Sequence, residues 1–431
     1  MDCCEEYARQ ERAGLSRRGF LGGVAAAGGV AVTTSLFGEA VLQASHGVQT
    51  GGNVMVVLSF RGGIDGLGVV VPHADDAYYD ARPNIAISKD TLICADDTFG
   101  LHPMLAPLQS YWEGGQFAAV HAVGLSVPNR SHFFATEEVE DADPTSSVRR
   151  GWVNRMVGLS ASPVPYESVS LSTSIPPTMV EGSAPSVTAD QLSDINMVGA
   201  DDNDWGTRRR KALNTVWAGA SGALKQGWKS TVNTVGVIQP VAEASYSPAS
   251  YDIAWPGGDL GNALRDAARL IKADVGTQVI TVDFGGWDMH ADYYNLPSRL
   301  DGFASAMKAF LDDLNTDHPS GGTWLDKVTV TTISEFGRRL EENGNRGLDH
   351  GWGNMMLLFG GGVKGGSYYG SWPSLKHGNT NDDDLTVTTD YRQVLGEIVD
   401  KRLDKSISKV FPGSWGYQRD NGVNGESLLT G

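Results

Sequence analysis

The chain has 431 residues, a formal net charge of -17 and a hydrophobic content of 41%. That length allows two domains or one large α/β domain, and the apolar fraction is enough for a real core. The acidity excludes a nucleic-acid surface, which needs a basic stripe, and argues against adhesion to an anionic membrane.

Ser16-Arg17-Arg18-Gly19-Phe20-Leu21 has the look of a twin-arginine export signal, with Arg17 and Arg18 addressed to the twin-arginine translocase. The Gly/Ala-rich run Leu21 to Phe37 that follows is interrupted by Thr33, Thr34 and Ser35 and is too weakly apolar for a membrane span. Cleavage is expected near Ala44, leaving a single domain over 53–431 in the periplasm or secreted. An uncleaved signal would instead anchor it to the membrane. Cys3 and Cys4 leave with the signal, so Cys94 alone remains and no intrachain disulfide holds the mature fold.

Asn53 to Phe60 reads as the first core strand, running into Arg61-Gly62-Gly63-Ile64-Asp65, where glycines permit a sharp turn. A short apolar run ends at Pro72. Pro103 to Trp112 carries Met104, Leu105, Leu108 and Trp112 on one helical face. Gln116 to Val123 is the next strand. It leads to Pro128-Asn129-Arg130-Ser131-His132 and a helix over Phe133 to Val139. Ser131 stands there either as a helix cap or as part of an anion-binding helix end.

From about 160 to 255 Ser, Pro, Thr and Gly become frequent, which predicts an irregular insertion or lid. It contains a basic helix from Arg208 to about Val235. Leu260 to Ala273 is a helix and Gln278 to Phe284 a strand, followed by Gly285-Gly286-Trp287-Asp288-Met289-His290. Leu296, Leu300, Phe303, Met307, Phe310 and Leu314 make one apolar helical stripe.

Val328 to Ile333 is too short for a core helix and reads as a buried strand ending at Ser334, Glu335 and Arg338. Asp349 and His350 precede a second apolar run, Met355 to Phe359, and a Gly-rich turn. A short helix, Gln393 to Val399, closes the pattern. Strand, loop and helix thus alternate, predicting a doubly wound, mostly parallel α/β sheet with helices on both faces.

In such a sheet the strand-end loops share one edge, so distant residues converge. Asp288, His290 and His350 form a carboxylate and two-imidazole set suited to a divalent metal. Asp65, Glu335 and Asp349 would add a second, oxygen-rich site, so one or two ions are expected (Zn, Mn, Fe or Ca). Arg61 and Arg130 would hold substrate oxygens. Read more plainly, the same groups are a polar loop with a satisfied His–Asp pair.

The ordered motifs RGGIDGL, YYDARPNIAI, FGLHPMLAPL, VPNRSHF, GWVNRM, GGWDMH, SEFGRRLEENG, LDHGWGN, GGGVKGG and TTDYRQVLGEI resemble an uncharacterised family of twin-arginine-exported bacterial proteins, domain of unknown function fifteen-oh-one. That family is distantly similar to the alkaline phosphatase–sulfatase superfamily. The resemblance implies an alkaline phosphatase-like core with metal ligands at strand ends. Asp288 and His290 resemble one metal's Asp and His, His350 resembles the last metal His, and Ser131 stands near the nucleophile's place. Arg61 stands where the first strand normally ends in an Asp, and Glu335-Phe336 replaces the usual Asp-His pair. The expectation is a metal-dependent hydrolase or transferase acting on phosphate or sulfate esters, small-molecule or glycan. The alternative is a non-catalytic binding or assembly protein on a degenerate fold of this kind.

Overall fold

The computed structural model describes residues 52–196, 204–219, 221–246, 248, 251–413, 422–423 and 425–430. Arg17, Arg18 and the rest of the expected signal lie outside these residues. Along the described chain run β1 (Val54–Arg61), β2 (Val70–Val71), β3 (Gly100–Leu101), β4 (Phe117–Gly124), α1 (His132–Asp141), α2 (Trp152–Val157), β5 (Ser168–Leu171), β6 (Val187–Thr188), α3 (Asp204–Ala218) and α4 (Gly222–Glu243). Then come α5 (Gly258–Lys272), β7 (Val279–Gly285), α6 (Leu296–Leu314), β8 (Val328–Ile333), β9 (Asn354–Gly360), β10 (Tyr368–Tyr369), β11 (Thr389–Asp390) and α7 (Tyr391–Lys401).

One sheet organises the molecule, in the order β10-β4-β9-β8-β1-β7-β5-β6, with β11 also pairing β4. β1 lies at its centre, parallel to β7 on one side and β8 on the other. The register sets Arg61 opposite Gly285 and Ser59 opposite Ile333, so the loops after all three strands leave from one edge. Among the described strands of this sheet only β9 runs against its neighbours, antiparallel to both β8 and β4. Its first residues therefore emerge at the edge where β8 and β4 end.

β1 is apolar at almost every position because both of its faces are covered. Side chains alternate across a strand. Val56, Leu58 and Phe60 accordingly join one buried cluster, with Leu264 of α5 and Leu300 and Phe303 of α6. Met55 and Val57 join the other, with Trp152 and Met156 of α2 and Leu395 and Ile398 of α7. Helices thus cover both faces, as the alternation predicted.

Three expectations change in detail. Pro103 to Trp112 is a 3-10 segment, Pro103–Leu108, followed by one α-helical turn, Gln109–Glu113. Pro107 brings no N–H to an α-helical ladder. Residues 160–255 supply β5 and β6, parallel strands that extend the main sheet beyond β7. The basic helix expected to reach Val235 is instead two, α3 and α4, broken near Gly222, whose φ is +59°. Among the described residues no helix is long and apolar enough to cross a membrane.

Candidate metal centre

Four loops at the β1–β7–β8 edge bring the polar groups together. Their floor is the Arg61-Gly62-Gly63 turn. Gly62 has φ +111°, and a Cβ on it would lie 2.8 Å from the Asp288 backbone nitrogen. Only glycine lets the loops after β1 and β7 pack this closely.

Arg338 ties these loops from below. Its side chain is almost wholly buried. It donates to the carbonyls of Gly63 (2.6 Å), Leu348 (3.0 Å), Trp287 (3.3 Å) and Gly62, and to Asp288 Oδ1 at 2.7 Å. Three of these five acceptors share the two N–H groups of Nη2, while Nε and Nη1 serve Gly63 and Leu348.

Asp288 Oδ1 is the focus of three imidazoles: His290 Nε2 at 2.9 Å, His350 Nε2 at 3.3 Å and His132 Nε2 at 3.5 Å. One donor atom from each of His132, Asp288 and His350 lies within 4.8 Å of the others. His290 Nε2 stands 2.9 Å from His350 Nε2.

Each ring is held from behind through Nδ1. His132 Nδ1 meets Glu335 Oε1 at 2.7 Å, His290 Nδ1 meets Asp349 Oδ1 at 2.8 Å, and His350 Nδ1 meets the Arg130 carbonyl at 2.9 Å. Those partners only accept, so each Nδ1 carries the proton and each neutral ring turns an Nε2 lone pair inward. Lone pairs facing at 2.9 Å repel unless a proton or a cation lies with them. His132 Nε2 is buried and has no hydrogen-bond partner. Imidazole–carboxylate pairs of this kind orient metal-binding histidines. The donor set therefore fits a divalent ion such as Zn, Mn or Fe, to which imidazole is well suited.

The charges agree with this geometry. Burial works to raise the Asp288 carboxyl, but the facing imidazoles of His132, His290 and His350 and the Arg338 guanidinium hold it well below the carboxylate range. Burial lowers His132, yet Asp288 and Glu335 outweigh it and push the ring up to about 9. The hydrogen bond to Asp288 raises His290. Glu335, penalised by burial, is nonetheless lowered through its bond to His132. In the ion-free chain, the upward shifts of His132 and His290 favour positive charge where a cation would sit.

Of the expected ligands, Asp288, His290 and His350 meet at one point. Glu335 and Asp349 stand behind the rings and form no second, oxygen-rich site. Asp65 is corrected: it is buried, with its oxygens taken by Arg82 at 2.6 and 3.0 Å and by Tyr293 at 2.7 Å. Arg61 is corrected too, because it is neutralised by Glu140 (2.5 Å) and Asp283 (2.9 Å). Arg130 sits on the rim, paired with Asp382 at 3.0 Å and with Asp384. Ser131 is the N-cap residue of α1, but its hydroxyl makes no capping bond. The expected ligand set omitted His132, and Arg338 had no assigned role. The signal for His132 was its place in a polar loop after a core strand.

Fold and centre together define an α/β protein with a candidate metal site at the carboxyl edge of its sheet. Residues 258–395 match a family model described as "Protein of unknown function (DUF1501)", in agreement with the family suggested by the motifs. That segment includes Asp288, His290, Glu335, Arg338, Asp349 and His350. No curated protein matches the chain. Among solved structures, the chain is similar to a protein in the alkaline phosphatase superfamily from Vibrio parahaemolyticus (10% identity, TM-score 0.37, covering 84% of this chain and 70% of that one). It is also similar to the C-terminal periplasmic domain of EcEptC from Escherichia coli, solved in complex with Zn (10%, 0.32, 72% and 73%). A third similarity is to phosphonoacetate hydrolase from Sinorhizobium meliloti 1021 in complex with phosphonoacetate (9%, 0.23, 67% and 57%).

Proposed function

We propose that the chain is an exported metal-dependent hydrolase acting on phosphate or sulfate esters, with His132, Asp288, His290 and His350 holding one divalent ion. The observation that carries this reading is the set of three imidazoles, each pinned at Nδ1 by an acceptor and each aiming Nε2 at Asp288. A bound ion would act there as a Lewis acid on an ester oxygen.

The chain's own groups would do the rest. Ser131 is the nucleophile of this proposal: a half-buried hydroxyl at the N-terminal end of α1, beside His132 in sequence and unused as a cap. The amide dipoles of that helix end favour negative charge developing nearby. Arg338 and the Nδ1 partners keep the ligands in place before substrate arrives. Export rests on Arg17 and Arg18 and belongs to the proposal as well.

One observation favours a second reading, a non-catalytic binding protein. Arg338 sets a fixed positive charge 2.7 Å from the Asp288 oxygen, which weakens any cation there. Elemental analysis of protein purified with Zn, Mn and Fe supplied, with turnover of a phosphate- and sulfate-ester panel, separates the two. The hydrolase reading expects about one ion per chain, lost in His350→Ala, and turnover lost in Ser131→Ala with the ion kept. Absence of turnover, with or without a bound ion, supports the binding protein. Protein that stays metal-free overturns the metal centre itself.

A further inference from the structure

The helical pair α3–α4 stands apart from the rest of the molecule in both charge and burial. In a chain of net charge -17, α3 and α4 carry Arg208, Arg209, Arg210, Lys211, Lys225 and Lys229, against acidic residues only at their outer ends, Asp204 and Glu243. Arg208, Arg209, Lys211, Lys225 and Lys229 are exposed. The acidity that argues against an anionic surface for the whole chain is therefore unevenly distributed.

Burial is just as uneven. α4 uses one stripe, Gly227, Ser230, Thr231, Thr234, Val235 and Ile238, against the body. It lies there on α5 and on the turns Pro165–Glu167 and Leu192–Asp194. α3 packs on α4, and over 206–217 only Gly206 is buried. A 15-residue helix packed so lightly gains little stability from tertiary contacts.

The exposed faces are also apolar in places. Val216 is 70% exposed, Leu224 48% and Val232 36%. Trp217 and Trp228 stack at 6.1 Å between the two helices, and Trp228 Nε1 donates to Asn214 at 3.0 Å. Lys225, Lys229 and Val232 recur at i, i+4 and i+7 on one outward stripe of α4. Basic residues with tryptophan and aliphatic side chains on exposed helices suit the interface of an anionic bilayer. Net acidity would keep the rest of the molecule off that surface.

We propose that the α3–α4 hairpin is a docking surface for an anionic lipid bilayer, with the basic side chains on headgroups and Val216 and Val232 at the acyl boundary. The proposal is independent of the metal centre. It is tested by co-sedimentation of the full chain with vesicles of phosphatidylglycerol and phosphatidylcholine mixed equally, against pure phosphatidylcholine. The expected result is binding to the anionic vesicles only, weakened by salt. Arg208→Glu/Arg209→Glu/Lys211→Glu should weaken it at least about tenfold, with circular dichroism and thermal unfolding unchanged. Val216→Ser/Val232→Ser should weaken it at low salt as well. Failure to bind anionic vesicles, or equal binding by the charge-reversed variant, overturns the proposal. So does vesicle-free self-association abolished by the same reversal, which would assign the surface to a second copy of this chain.

Discussion

At the scale of single residues, the decisive unit is an imidazole held by its rear nitrogen. Glu335 takes His132 Nδ1, accepts from the Gly62 backbone N–H at 2.8 Å, and is itself buried. Glu335→Gln keeps the shape but removes the charge, so His132 should lose its upward shift and the ion should bind about 10- to 100-fold less tightly. Calorimetric titration with Zn checks this. The pH dependence follows from the same ring. His132 is raised from 6.5 to about 9 in the ion-free chain. Its contribution to ion-free stability is full below the unfolded value and is lost as pH rises through about 9. A metal ion must displace that proton, so affinity should climb across the same window, by up to about tenfold per pH unit for each proton released. Thermal unfolding of ion-free protein and zinc titrations between those two values read both effects, and an affinity flat with pH would contradict the assignment. Arg61 and Asp65 show why some residue roles were illegible. Their polarity and strand-end position matched a ligand's, but their partners, Glu140 and Asp283 for one and Arg82 and Tyr293 for the other, lie on other elements that no local pattern ties to them.

At the scale of elements, period and composition carried most of the reading. β1 was legible because a continuous apolar run fits a strand buried on both faces, β8 because every one of its residues is β-branched, and α6 because its stripe follows the helical period. The direction of β9 was not, because an apolar run reads the same whichever way the strand is laid. His132 was obscured by its neighbour: Ser131 has the residue type and position of a helix cap, so the loop was read through the serine. Leu58 is fully buried at the sheet's centre within the α5–α6 side of the core. Leu58→Ala should cost about 2–5 kcal/mol from lost burial and the cavity left behind. Urea unfolding should show a lower midpoint at unchanged slope.

At the scale of the whole molecule, the site is the meeting of loops whose strands are locked by the core. It therefore differs from small domains that fold only around their metal. Chelator treatment should leave far-UV circular dichroism and cooperative unfolding in place. It should lower the melting temperature only by the mass-action term, which grows with free metal over its dissociation constant. Loss of cooperative unfolding on chelation would show instead that the ion holds the fold together.

The reversed course of β9 has a consequence of its own. The excursion from Ser334 to Gly353 departs from the rim and comes back to the same rim, with no crossover helix between. It delivers Glu335, Arg338, Asp349 and His350 in one pass. Descendants of this gene could lengthen the exposed tip of that excursion, Gly344 to Arg346, and so reshape what the pocket admits. Every strand and covering helix would stay where it is, leaving selectivity free to drift while the scaffold stands still.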